Sequence, residues 1–74
     1  MWTKGRMQIG KNTVRWEVKH FDEGSIFGIN EGRISKLWIA INGEPEVMYE
    51  RGWCQKPKSA IAKKVFKQLM EKYN

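Results

Sequence analysis

PKSAIAKKVFKQLMEKYN, residues 57–74, carries two residue classes in a fixed phase. At roughly 100° per residue, Ile61, Ala62, Val65, Phe66, Leu69, Met70 and Tyr73 fall on one half of a helix. Lys63, Lys64, Lys67, Gln68 and Glu71 fill the other half. The spacing predicts an amphipathic helix over about 58–73, with Pro57 suited to its first turn and Ser59 as an alternative N-cap. A helix with one apolar face needs a flat apolar surface to bury it. The residues upstream offer such a surface.

Residues 13–20, TVRWEVKH, alternate: Val14, Trp16 and Val18 point one way, Arg15, Glu17 and Lys19 the other. This is the period of a half-buried strand. Residues 2–9, WTKGRMQI, lie across a Gly10-Lys11-Asn12 turn signal, so the two segments are expected to form a hairpin. In 34–41, ISKLWIAI, Leu37, Ile39 and Ile41 share one face and Lys36, Trp38 and Ala40 the other. Asn42-Gly43 is the best hairpin-turn signal in the chain. Proline cannot donate to a ladder, so Pro45 predicts a loop that runs past two residues. Residues 46–53, EVMYERGW, make a fourth strand, with Val47, Tyr49 and Trp53 as inward candidates. Residues 21–33, FDEGSIFGINEGR, hold three glycines and no sustained period, and read as a long loop. Of its apolar residues Ile26, Phe27 and Ile29, at least one is expected to fold back on the core. The expected fold is α+β, ββββα. A four-stranded antiparallel meander over about 2–53 carries the C-terminal helix on one face, in a single domain spanning 1–74.

A chain of 74 residues, 41% hydrophobic and 12% aromatic, has material for one core and not for two. The net charge of +6 is unevenly placed. Residues 1–20 and 56–74 are basic, whereas 21–55 hold six carboxylates against three cations. Basic ends around an acidic middle fit a polyanion-binding face, or segments that neutralise one another across the surface. A single cysteine, Cys54, excludes an internal disulfide and points to a reducing compartment. The start, MWTKGRMQIG, has no apolar core of a signal peptide. No apolar run approaches the roughly 20 residues of a membrane span. A cytoplasmic protein with no membrane partner is the expectation.

Strict alternation puts Arg15, Glu17, Lys19, Lys36, Trp38 and Ala40 on the sheet face away from the helix, with Trp2, Lys4 and Arg6 extending it. Cations among tryptophans suit nucleic acid, because they neutralise phosphates and release counterions while an indole stacks on a base. The candidate set is Arg6, Arg15, Lys19, Lys36 and Trp38. The competing readings are an ordinary decorated sheet face, a face covered by the 21–33 loop, or a homodimer interface. Lys63, Lys64 and Lys67 form a secondary basic stripe on the helix, which either tracks a phosphate backbone or is simply solvated.

Other chemistry is poorly supported. Gly24, Gly28 and Gly32 are spaced by four, yet match neither a phosphate-loop nor a dinucleotide pattern. His20 and Cys54 are the only base-and-nucleophile pair of their kind, with nothing to make them neighbours. Asp22 and Glu23 are adjacent and would diverge on a strand, and no metal-ligand spacing is present. No cofactor is expected. The chain reads as a small basic, non-enzymatic binding module, monomer or homodimer, whose partner is DNA or RNA. The alternative is a protein-interaction factor whose partner is another protein.

The stretch GINEGRISKLWIAINGE (28–44), with YERGW (49–53) and the ending KYN (72–74), resembles a family of short uncharacterised proteins of Gram-positive bacteria and their phages. The likeness spans most of the chain. It carries over no activity and no site residue. It does imply a phage or mobile-element setting, where small basic proteins act as DNA-associated factors or as inhibitors of host machinery.

Overall fold

A computed structural model describes residues 1–74. Its strands are β1 (Trp2–Ile9), β2 (Asn12–His20), β3 (Ile34–Ile41), β4 (Glu44–Glu50) and β5 (Trp53–Gln55), followed by one helix, α1 (Ala60–Tyr73). The strands form one antiparallel sheet in the order β1-β2-β3-β4-β5. The architecture is the expected α+β meander with a helix on one face, but it has five strands instead of four.

The extra strand arises at Arg51. Its φ of 58° lies in the left-handed region, which ends the extended run at Glu50. Arg51 and Gly52 turn the chain, and Trp53–Gln55 pairs back on β4. The sheet therefore reaches residue 55 instead of 53. Trp53 is not an inward core residue. It sits at the sheet margin, where its ring meets Tyr49 and Phe66 edge-on at 5.1 and 5.5 Å.

The Asn42-Gly43 turn is tighter than Pro45 suggested. Both residues have positive φ, 52° and 83°, and β4 starts immediately after them. Pro45 stands opposite Ala40 at the second position of β4, beyond the stretch that β5 pairs and next to a register shift that leaves Glu46 without a partner. Its missing donor costs little on a side of β4 where no strand pairs with it. The turn is also braced from the side: Thr13 N–H donates to Asn42 Oδ1 at 3.0 Å, and Asn42 Nδ2 donates to Asn12 Oδ1 at 2.8 Å.

α1 begins two residues later than 58. Ser59 is the N-cap, its Oγ accepting from Ala62 N–H at 3.1 Å. The same hydroxyl donates to Glu46 Oε1 at 2.8 Å and ties the helix start to β4. Ala62, Val65 and Leu69 are buried against Val14, Trp16 and Val18 of β2, Leu37, Ile39 and Ile41 of β3, and Val47 and Tyr49 of β4. Ile61, Phe66, Met70 and Tyr73 flank this contact half-buried. Trp16 lies across Gly5 of β1, where a methyl group would collide with the indole.

The 21–33 segment is packed by its glycines. Ile29 folds into the core at 1% exposure, while Ile26 and Phe27 stay out at 78% and 53%. A Cβ on Gly28 would strike the Gly32 backbone, and one on Gly32 would strike the Asn74 side chain. Asn74, after the last turn of α1, clasps this loop. Its Oδ1 accepts from Ile34 N–H at 2.9 Å and its Nδ2 donates to the Ile29 carbonyl at 3.1 Å. Tyr49 Oη donates to the Phe27 carbonyl at 2.9 Å.

Candidate functional site

Antiparallel pairing carries the alternation of one strand onto its neighbours, so side chains opposite one another share a face. On the face opposite α1, three rows cross the sheet. Trp2 pairs with Lys19, Lys19 with Lys36, and Lys36 with Glu50. Lys4 pairs with Glu17, Glu17 with Trp38, and Trp38 with Met48. Arg6 pairs with Arg15, and Arg15 with Ala40. All five primary candidates, Arg6, Arg15, Lys19, Lys36 and Trp38, thus lie on one surface. No helix or loop packs over it, and Trp38 is half-buried at its centre.

The charges on this surface are not evenly neutralised. Lys36 Nζ is 3.2 Å from Glu50 Oε1, and Lys4 Nζ is 3.8 Å from Glu17 Oε1. Arg6, Arg15 and Lys19 have no carboxylate within 4.0 Å. Two pairs of like charge stand directly opposite each other, Arg6 with Arg15 and Lys19 with Lys36. Such pairs destabilise a sheet unless an anion lies between or above them. The two cation rows are four residues apart along β2, about 14 Å at strand rise, with Trp38 in the row between. Lys19 also sits 6.0 Å from the Trp2 ring and 5.6 Å from the Phe21 ring. Exposed aromatics therefore continue the cationic row to the sheet edge.

The relief of the surface follows Trp38. Three shallow depressions, of about 270, 230 and 460 Å³, each touch its indole. The first adds Trp2, Glu17, Lys36, Met48 and Glu50, the second Lys4 and Arg15, the third Thr13, Asn42 and Gly43. Together they describe a trough running over the middle of the open face.

The remaining sequence candidates lie elsewhere. Lys63, Lys64 and Lys67 are exposed on the outer side of α1 and share no surface with the sheet candidates. His20 is on β2, its Nε2 hydrogen-bonded to Thr3 Oγ1 at 2.9 Å and its ring 4.8 Å from that of Tyr73. Cys54 is exposed on β5, three strands away across the sheet. The amides of Ser25, Gly28, Glu31 and Gly32 bond carbonyls within the loop and are taken up there. No three His, Cys, Asp or Glu residues converge on a point. No helix is long and apolar enough to cross a membrane. Trp2 and Glu17 are two further residues of the trough that the primary candidate set passed over. For Trp2 the clue was there, since its register with Lys19 follows from the β1–β2 hairpin, whereas Glu17 meets Trp38 through strands joined by the 21–33 loop.

Fold and surface define a small α+β domain with one sheet face sealed by a helix and the other free. A family model described as a domain of unknown function, DUF7678, matches residues 1–74, and the chain belongs to that family. No curated protein and no solved structure matches it.

Proposed function

We propose that the open sheet face binds nucleic acid without catalysis. The observation that carries this reading is the pair of directly opposed cations, Arg6 with Arg15 and Lys19 with Lys36, on either side of Trp38. Opposed cations repel in the free protein, and phosphates remove that repulsion. Arg6, Arg15, Lys19 and Lys36 hold phosphates, and Trp38 stacks on a base or packs on a sugar. The stripe of Lys63, Lys64 and Lys67 is a secondary, weaker phosphate surface on the far side of the molecule. The setting proposed is a reducing cytoplasm, with the protein a monomer or a homodimer. Anisotropy of labelled single-stranded DNA, duplex DNA and RNA, measured at several salt concentrations, tests the reading. Four phosphate contacts to a single strand give a slope of log K against log salt of about −3. Absence of binding at low salt refutes it.

The exposed Ile26 and Phe27 support a second reading. Arg51 lies 5.8 Å over the Phe27 ring, giving an apolar knob with a cationic edge well suited to a protein partner. With the family resemblance, this describes a mobile-element factor that inhibits host machinery. Expression in a bacterial host then slows growth, and Phe27→Ser relieves the effect while Trp38→Ala does not. The opposite pattern returns the activity to the sheet face.

A further inference from the structure

We infer that the depression between Trp2 and Trp38 is a base-binding pocket that prefers guanine in a single strand. This rests on the nucleic-acid reading of the open face. Trp2 and Trp38 both line the depression, whose volume of about 270 Å³ is just below the range of drug-sized ligand sites. Trp2 is 51% exposed, so its indole is free to close on a planar ring. Met48, opposite Trp38 on β4, supplies an apolar, polarisable wall.

The charge pattern selects the ligand. The carboxylates of the open face, Glu17 and Glu50, are inside this depression, whereas Arg6, Arg15 and Lys19 lie outside it. A phosphate is repelled from the carboxylates and drawn to the outer cations. A base carries N–H donors and no net charge, so it is the part of a nucleotide that enters. Lys36 inside and Lys19 beside Trp2 disfavour a cationic ligand in the same aromatic setting. A base inside a duplex is stacked and cannot be inserted without unstacking, which favours single strands.

Between the two carboxylates, Glu17 is the reader. Glu50 is engaged by Lys36 at 3.2 Å, while Glu17 is only loosely paired with Lys4 at 3.8 Å and stands directly opposite Trp38. A carboxylate accepts only. On the Watson–Crick edge, guanine alone offers two adjacent donors, N1–H and the N2 amino group, which a carboxylate takes bidentately.

The experiment uses the intact chain and fluorescein-labelled dT8 in which one central residue is dT, dG, dA or deoxyinosine. The dG oligomer is expected to bind about tenfold tighter than dT8, with deoxyinosine, which lacks the N2 amino group, in between. Glu17→Gln should erase this preference. Trp2→Ala should weaken the dG oligomer about tenfold with an unchanged circular dichroism spectrum. Equal affinity for all four oligomers, or a dG preference that survives Glu17→Gln, overturns the pocket while leaving nucleic-acid binding intact. Failure of every oligomer to bind at low salt overturns the nucleic-acid reading as well.

Discussion

Leu37, Ile39 and Ile41 alternate along β3 with Lys36, Trp38 and Ala40, so one strand serves two surfaces of opposite character. On the first surface the side chains meet α1 and are buried. On the second, large apolar groups are also present, yet nothing covers them: Trp38 is half-buried, Trp2 is exposed, and cations stand among them. The covered face satisfies its residues within the chain. The open face leaves Arg6 opposed to Arg15 and Lys19 to Lys36, with only Lys36 of the four held by a carboxylate, and leaves indoles in water. Stability and binding should therefore separate by face.

Substitutions can break that separation, and the largest effect is expected on the covered side. Leu69→Ala removes a buried side chain where helix and sheet meet and should cost about 2–5 kcal/mol in chemical denaturation. A domain of this size has on the order of 4–11 kcal/mol in total, so the variant should unfold well below the wild-type midpoint. Gly28→Ala comes next. Its methyl group would meet the Gly32 backbone, and relief by a loop shift should cost about 1–3 kcal/mol. If its midpoint is unchanged, the clasp by Asn74 is looser than the hydrogen bonds imply.

On the open side the effects should fall on binding. Trp38→Ala should weaken nucleic-acid affinity by about 1–3 kcal/mol while the denaturation midpoint moves little. A shift in sedimentation coefficient instead would show that the face closes on a second copy of the chain. Arg6→Ala is a finer probe. It should reduce the magnitude of the salt slope by about 0.7 and, by separating two opposed cations, leave the free protein as stable or slightly more so. The smallest effect belongs to Lys67→Ala on the outer side of α1, within about 0.5 kcal/mol in stability. A loss comparable to Leu69→Ala would mean that the helix is turned the other way.

Particular residues explain what could be read in advance. Val14, Trp16, Val18, Leu37 and Ile39 were legible as the covered face because a period of two has one phase, and a slip of one residue would expose them all. The same phase put Arg6, Arg15, Lys19, Lys36 and Trp38 together on the other side. β5 was not legible. Three exposed residues carry no burial alternation, and the turn before it depends on Arg51 adopting a left-handed conformation that glycine would ordinarily take. Pro45 misled because its missing donor matters only where a neighbouring strand needs it, and β5 pairs with β4 only at Met48 and Tyr49. Asn74 was part of a family resemblance, but nothing local indicated that its amide would hold two backbone groups forty and forty-five residues away.

Composition, period and turn chemistry by themselves determined an antiparallel sheet, an amphipathic helix, the side of each that turns inward, and the residues left on the outside. These are local properties, set by 3.6-fold and twofold repeats and by the φ angles that asparagine and glycine allow. Only the tertiary structure decided that a fifth strand closes the sheet beside β4, and that three glycines let a loop fold onto Asn74. It also decided that Trp2, Glu17 and Trp38, brought from three strands, border one depression. Each of those depends on contacts between residues distant in sequence, whose distances are set by packing and register and by no pattern within a single segment.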